Sequence, residues 1–148
     1  MKKPVVIDTS VMIAALIGEA GPAREILRRC LKGQYIPLMG NALFAEYEDV
    51  ASRPDILNRC PISPDEIREL LNAFYSVSKW VPVYFLWRPN LSDEGDNHIV
   101  ELAVAGHADW LVTENIRDFK RAELRFPELR FMTPAQLLKG ERDGNTNN

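Results

Sequence analysis

The chain has 148 residues, 46% apolar and 26% charged, which suits one globular domain with a real core rather than a disordered or fibrous protein. A formal net charge of -3 excludes strong non-specific nucleic-acid affinity from overall charge, although basic residues held locally can still meet phosphates. Two cysteines, Cys30 and Cys60, are too few for a disulfide framework or a cysteine-based zinc site.

The basic start Met1-Lys2-Lys3 leads into an apolar run broken by Asp8, Thr9 and Ser10, so no signal peptide is expected. No segment approaches the ~20 apolar residues of a membrane span. The expected location is the cytoplasm. Residues 1–139 read as a single domain, and the polar stretch 140–148 as a fraying tail.

In chain order, Val5–Ile7 reads as a buried strand with Asp8 at its carboxyl end. Ser10–Ile17 reads as a short helix closed by Gly18. Pro22–Leu31 is an amphipathic helix, with Ala23, Ile26, Leu27 and Leu31 on one face and Arg24, Glu25, Arg28 and Arg29 toward water. Tyr35–Met39 is the second strand. Asn41 is placed to cap a helix running to about Ser52, which Arg53-Pro54 breaks.

Ser63-Pro64-Asp65-Glu66 is a helix start, with an N-cap, a proline at the first position and acids in the first turn. Val81–Phe85 reads as the third strand, its Pro82 implying a sheet edge or a strand start. Asp96 opens a further helix that Gly106 ends. Trp110–Val112 and Arg130–Met132 are the remaining strands, and Thr133-Pro134 caps a last helix, Ala135–Leu138. Strands alternating with helices predict an α/β fold: a three-layer α/β/α sandwich around a four- to five-stranded, mainly parallel sheet.

In such a sheet the loops after the strands share one edge, where ligands bind. Asp8 stands there directly. Glu46 follows about one and a half turns into the helix after strand two. Asp93 and Asp96 precede the helix leading to strand four, and Thr113–Asp118 follows that strand. These carboxylates suit Mg²⁺ or Mn²⁺, hard cations that favour carboxylate oxygen and complete their shell with water and phosphate. Held close together they repel one another, and a cation relieves that strain.

Plainer readings exist for each. Asp8, Asp93 and Asp96 could cap helices, and Glu46 could be a surface acid beside Glu48 and Asp49. His98 reads as a residue satisfied by its neighbours, and His107 as a helix C-terminal residue. No Walker pattern and no G-x-G-x-x-G is present.

The opening V-V-I-D-T-S-V, the block Ala45-Glu46-Tyr47-Glu48-Asp49-Val50 with Ser52-Arg53-Pro54, and the run D-E-G-D-N-H-I-V-E-L-A-V-A-G-H-A-D-W-L-V-T-E-N-I-R-D-F resemble the PIN-domain ribonucleases, across about residues 4–134. The closest likeness is to the toxin components of toxin–antitoxin pairs (VapC-like). The resemblance implies a Mg²⁺- or Mn²⁺-dependent endoribonuclease with Asp8, Glu46 and Asp96 as catalytic metal ligands, assisted by Asp93, Asn115 or Asp118. Asn115 stands where many members carry an acid.

The same resemblance makes Thr9, Ser10 and Thr113 the hydroxyl residues near the site. It implies a homodimer, an antitoxin that blocks the acidic groove, and an RNA substrate cut to 5′-phosphate and 3′-hydroxyl ends. Arg53, Arg88, Arg117, Lys120 and Arg121 are candidate phosphate contacts, with the strip from Arg117 to Arg121 foremost. Two other readings compete. One is a PIN-fold module that binds RNA or protein without cutting, which an uncharged Asn115 would allow. The other is a phosphatase of the haloacid dehalogenase type, disfavoured because Ser10 stands where a second aspartate is needed.

Overall fold

A computed structural model describes residues 2–18, 20–83 and 97–146. Five strands form one sheet, in the order β3-β2-β1-β4-β5. They are β1 (Lys3–Ile7), β2 (Tyr35–Met39), β3 (Lys79–Trp80), β4 (Trp110–Val112) and β5 (Arg130–Met132). Every pairing is parallel, and β1 lies at the centre, with Val5–Ile7 opposite Trp110–Val112 and Lys3–Val5 opposite Tyr35–Pro37. Val5, Val6, Leu111 and Val112 are fully buried, as expected of strands covered on both faces.

Among the described residues, eight α-helices cover the sheet: α1 (Thr9–Ile17), α2 (Pro22–Leu31), α3 (Asn41–Ala51), α4 (Pro54–Leu57), α5 (Pro64–Val77), α6 (Asn97–Ala105), α7 (Lys120–Arg125) and α8 (Pro134–Thr146). α2 packs with α1, α5 and α8 in one layer, while α6 lies against β1, β2 and β4 in the other. The result is the expected three-layer α/β/α sandwich.

α2, β2, β4 and β5 have the bounds read from sequence. α5 starts with a full capping box: the Glu66 N–H donates to Ser63 Oγ at 3.2 Å and the Ser63 N–H to Glu66 Oε1 at 3.0 Å. Thr133 and Gln136 repeat the pattern at the start of α8, with reciprocal bonds of 3.0 and 3.1 Å. α8 itself runs well past Leu138.

Several elements differ from expectation. The third strand is Lys79–Trp80, not Val81–Phe85. Residues 81–83 are irregular, and 84–85 lie outside the described residues. Its ladder to β2 begins opposite Leu38, beyond Pro37, and ends before Pro82, so neither proline is asked for a donor it lacks. Lys79–Trp80 stands at one end of the described strand order, but Pro82 is not part of it. Asn41 makes no cap; Gly40 occupies that place without a side-chain bond. The short α4, the 3-10 turn Ile116–Phe119 and α7 are additional to the expected elements.

Residue 106, just past the end of α6, has room only for glycine: a Cβ there would lie 2.5 Å from Leu38 Cδ1 and 3.3 Å from the Leu102 carbonyl. The left-handed turn falls on the next residue, His107, at φ 54°.

Candidate metal centre

Asp8 follows β1 at the carboxyl edge of the sheet and is buried, at 6% exposure. Its backbone continues the β1–β4 ladder: the Asp8 N–H donates to the Val112 carbonyl at 2.9 Å. Its carbonyl accepts from the N–H groups of Val11 and Met12 at 2.9 and 3.2 Å, which starts α1. The side chain makes no cap bond to that helix, so the plain capping role is not what holds the carboxylate.

Two hydroxyls hold it instead. Ser10 Oγ donates to Asp8 Oδ2 at 2.9 Å and Thr113 Oγ1 to the same oxygen at 2.6 Å. Each hydroxyl also accepts a backbone N–H from the loop after β4: Glu114 to Ser10 at 3.1 Å, Asn115 to Thr113 at 3.0 Å. With its acceptor side taken by a backbone donor, each hydroxyl spends its one proton on the carboxylate. The loop geometry therefore fixes Asp8. Burial pushes the Asp8 pKa up, the two hydroxyls pull it down, and the charge on Glu46 pushes it up again.

Glu46 reaches the same edge from α3, and Thr9 Oγ1 donates to its Oε1. Its Oε2 meets His98 Nε2 at 2.8 Å. The His98 hydrogen bond is the main reason the Glu46 pKa lies below the ordinary carboxylate value; burial opposes it, and Thr9 and Arg53 add smaller downward contributions. One residue further on, the Tyr47 hydroxyl donates to the Ile7 carbonyl, tying α3 to the end of β1.

The other acids of α3 point elsewhere. Glu48 is held by Arg68 and Tyr75 on α5, and Asp49 pairs with Arg53 at 2.5 Å. Of the three acids, only Glu46 is bonded to α1 and α6 among the described residues.

The structure brings together Asp8, Thr9, Ser10, Glu46 and Thr113, joined through the consecutive residues 8–10 and extended by His98. Asn115 adjoins the network through its backbone, with an exposed side chain. Asp118 and Arg117 are exposed on the 3-10 turn beyond it. Asp93, Asp96 and Arg88 lie outside the described residues. Among the described residues no group of three or more histidine, cysteine or acidic side chains forms a metal cluster. The two carboxylates are nevertheless the hard oxygen donors that Mg²⁺ or Mn²⁺ takes. Among the described residues no cationic side chain pairs with Asp8, so the donor set fits part of a divalent-cation site.

Sequence reasoning expected His98 to be satisfied by a neighbour; the neighbour is Glu46 itself, 52 positions away. It placed Thr9 near the site without foreseeing that its hydroxyl is engaged by Glu46. No periodicity signals either contact, because both depend on how α1, α3 and α6 meet.

Residues 4–117 match the family model described as PIN domain. The chain belongs to the PIN domain family. A chain in the crystal structure of VapBC2 from Rickettsia felis bound to a DNA fragment from their promoter shares the fold of this PIN domain. Its TM-score is 0.58 at 18% identity, covering 86% of the present chain and 96% of that one. No curated protein matches.

Around the PIN-domain edge, Arg53, Lys120 and Arg121 are exposed. A cavity of about 360 Å³ opens beside His98, lined by the start of α3, by Trp80 and by Leu102.

Proposed function

We propose that this PIN domain is a Mg²⁺- or Mn²⁺-dependent endoribonuclease and the toxin of a toxin–antitoxin pair, acting in the cytoplasm as a homodimer. The observation that carries the reading is that Asp8, held by Ser10 and Thr113, and Glu46, held by Thr9 and His98, are gathered at the carboxyl edge, and no cationic side chain among the described residues pairs with Asp8. Membership of a family whose members are generally nucleases supports the reading. The fold shared with a chain of the VapBC2 complex supports the toxin role and an antitoxin partner.

Asp8 and Glu46 would hold the ion, with Asp96 as third ligand and Asp93, Asn115 or Asp118 assisting. When present, such an ion supplies Lewis acidity toward the phosphate and toward an attacking water. The chain's own task is positional. Ser10 and Thr113 orient Asp8, Thr9 holds Glu46, and the buried end of β1 limits water around Asp8. Arg117, Lys120 and Arg121 would meet RNA phosphates without contributing to sequence choice.

The test is cleavage of single-stranded RNA with Mn²⁺ by wild type and Asp8→Asn. An ion at a phosphoryl centre is worth several kcal/mol, and each 1.36 kcal/mol is tenfold in rate. The substitution should therefore cost roughly a hundredfold or more. Undiminished cleavage by Asp8→Asn, in protein free of contaminating nuclease, would end the proposal. The exposed, uncharged Asn115 favours one second reading, a non-cutting RNA- or protein-binding module, which predicts no calorimetric Mn²⁺ binding.

A further inference from the structure

We infer that His98 is a positioning residue, fixing the Glu46 carboxylate so that Glu46 and Asp8 can share a divalent cation; the inference rests on the metal-dependent reading above. Glu46 is a long side chain, 36% exposed, and such a chain gives up rotamer freedom when held in one place. Two bonds from different elements do the holding. Thr9 on α1 takes Oε1, and His98 on α6 takes Oε2 at 2.8 Å.

Each carboxylate oxygen has two acceptor directions. Both can be bonded in this way and still offer a lone pair to an ion. A ligand carboxylate whose remaining directions are hydrogen-bonded is held at the orientation its ion requires.

Two features single out His98. It stands in the first turn of α6, a helix anchored in the core by Ile99, Val100 and Leu102, and its side chain is 18% exposed. Its other nitrogen, Nδ1, is buried and has no hydrogen-bond partner among the described residues. Among the described residues, Glu46 is therefore the polar contact of this ring. With Nε2 turned to Glu46, that nitrogen has no lone pair to give the same cation, which separates positioning from direct ligation.

The experiment is calorimetric titration of the full chain with Mn²⁺ for wild type, His98→Leu and His98→Gln, with a melting curve for each. Loss of an outer-shell partner typically costs about 10- to 100-fold in metal affinity, so His98→Leu should bind Mn²⁺ at least about tenfold more weakly. His98→Gln, whose amide N–H can replace Nε2–H, should bind as wild type does.

Equal affinity in wild type and His98→Leu would overturn the inference while leaving the metal reading intact. Equal weakness in both variants would overturn it in favour of the imidazole as a ligand. No Mn²⁺ binding by wild type would end the metal reading and this inference together. If His98→Leu does not fold, His98→Gln decides alone: retained affinity supports positioning and lost affinity refutes it.

Discussion

Glu46 and Glu48 lie two residues apart on α3 and serve opposite ends. Glu48 turns to α5, where Arg68 grips both its oxygens at 2.7 and 2.6 Å and the Tyr75 hydroxyl adds a third bond at 2.6 Å. Its charge is matched, and the Arg68 hydrogen bonds keep its pKa low. Glu46 turns to the sheet edge, where it meets a hydroxyl, an imidazole and the field of a second carboxylate. A matched carboxylate is structural. Glu46 lies where burial first, and its own charge to a smaller degree, push the Asp8 pKa up, and under the reading proposed above that is where a cation would sit.

The sharpest way to break that contrast is to neutralise each acid in turn. Glu46→Gln should cut Mn²⁺-dependent RNA cleavage by about a hundredfold, on the same several-kcal/mol reasoning as for Asp8. Glu48→Gln should leave the rate close to wild type. Equal losses would show that the two sides of α3 do not differ in role.

Next in size is the response to metal. Saturating Mn²⁺ at ~100 times its Kd stabilises a folded protein by about 2.7 kcal/mol. The melting temperature of wild type should rise accordingly, while that of Asp8→Asn should hardly move. A rise of the same size in Asp8→Asn would place the ion elsewhere.

The smallest effect belongs to the α3–α5 contact. The Glu48 pKa in the folded chain lies below its ordinary value of 4.5, so the folded state binds fewer protons than the unfolded one. Its stabilisation is therefore complete above about pH 4.5 and is lost as pH falls through the lowered folded pKa. Glu48 is 31% exposed and its partner Arg68 47%, so solvent screening discounts the pair to about 1 kcal/mol. The difference in thermal stability between wild type and Glu48→Gln should be of that order near pH 7 and shrink in acid. A difference that grows in acid would reverse the assigned sign.

Sequence reasoning reached the layers of the fold because the signals were local. The all-apolar Val5–Ile7, the helical spacing of Ala23, Ile26 and Leu27, and the Ser63–Glu66 capping box each act within a few residues. It misplaced β3 because Val81–Phe85 has a strand's composition, whereas pairing is decided by which backbone donors are available beside Pro37 and Pro82. It gave the capping role at α3 to Asn41 when Gly40 occupies that place, and it passed over α4, whose single turn has too few residues to show a period.

The same division holds at the site. Asp8 was legible from its place after an apolar strand. Glu46 could be separated from Glu48 and Asp49 only by partners distant in sequence, among them Thr9, Arg68 and His98.

The tight seat of Gly106 has a bearing on chemistry it never touches. With only a hydrogen facing Leu38 Cδ1, the far end of α6 settles down onto β2. His98 projects from the first turn of that same rod, so the spacing at one tip governs the reach of the other. A methyl group added at residue 106 would have to turn the Leu38 side chain aside or lift α6, the helix that carries His98 about two turns away.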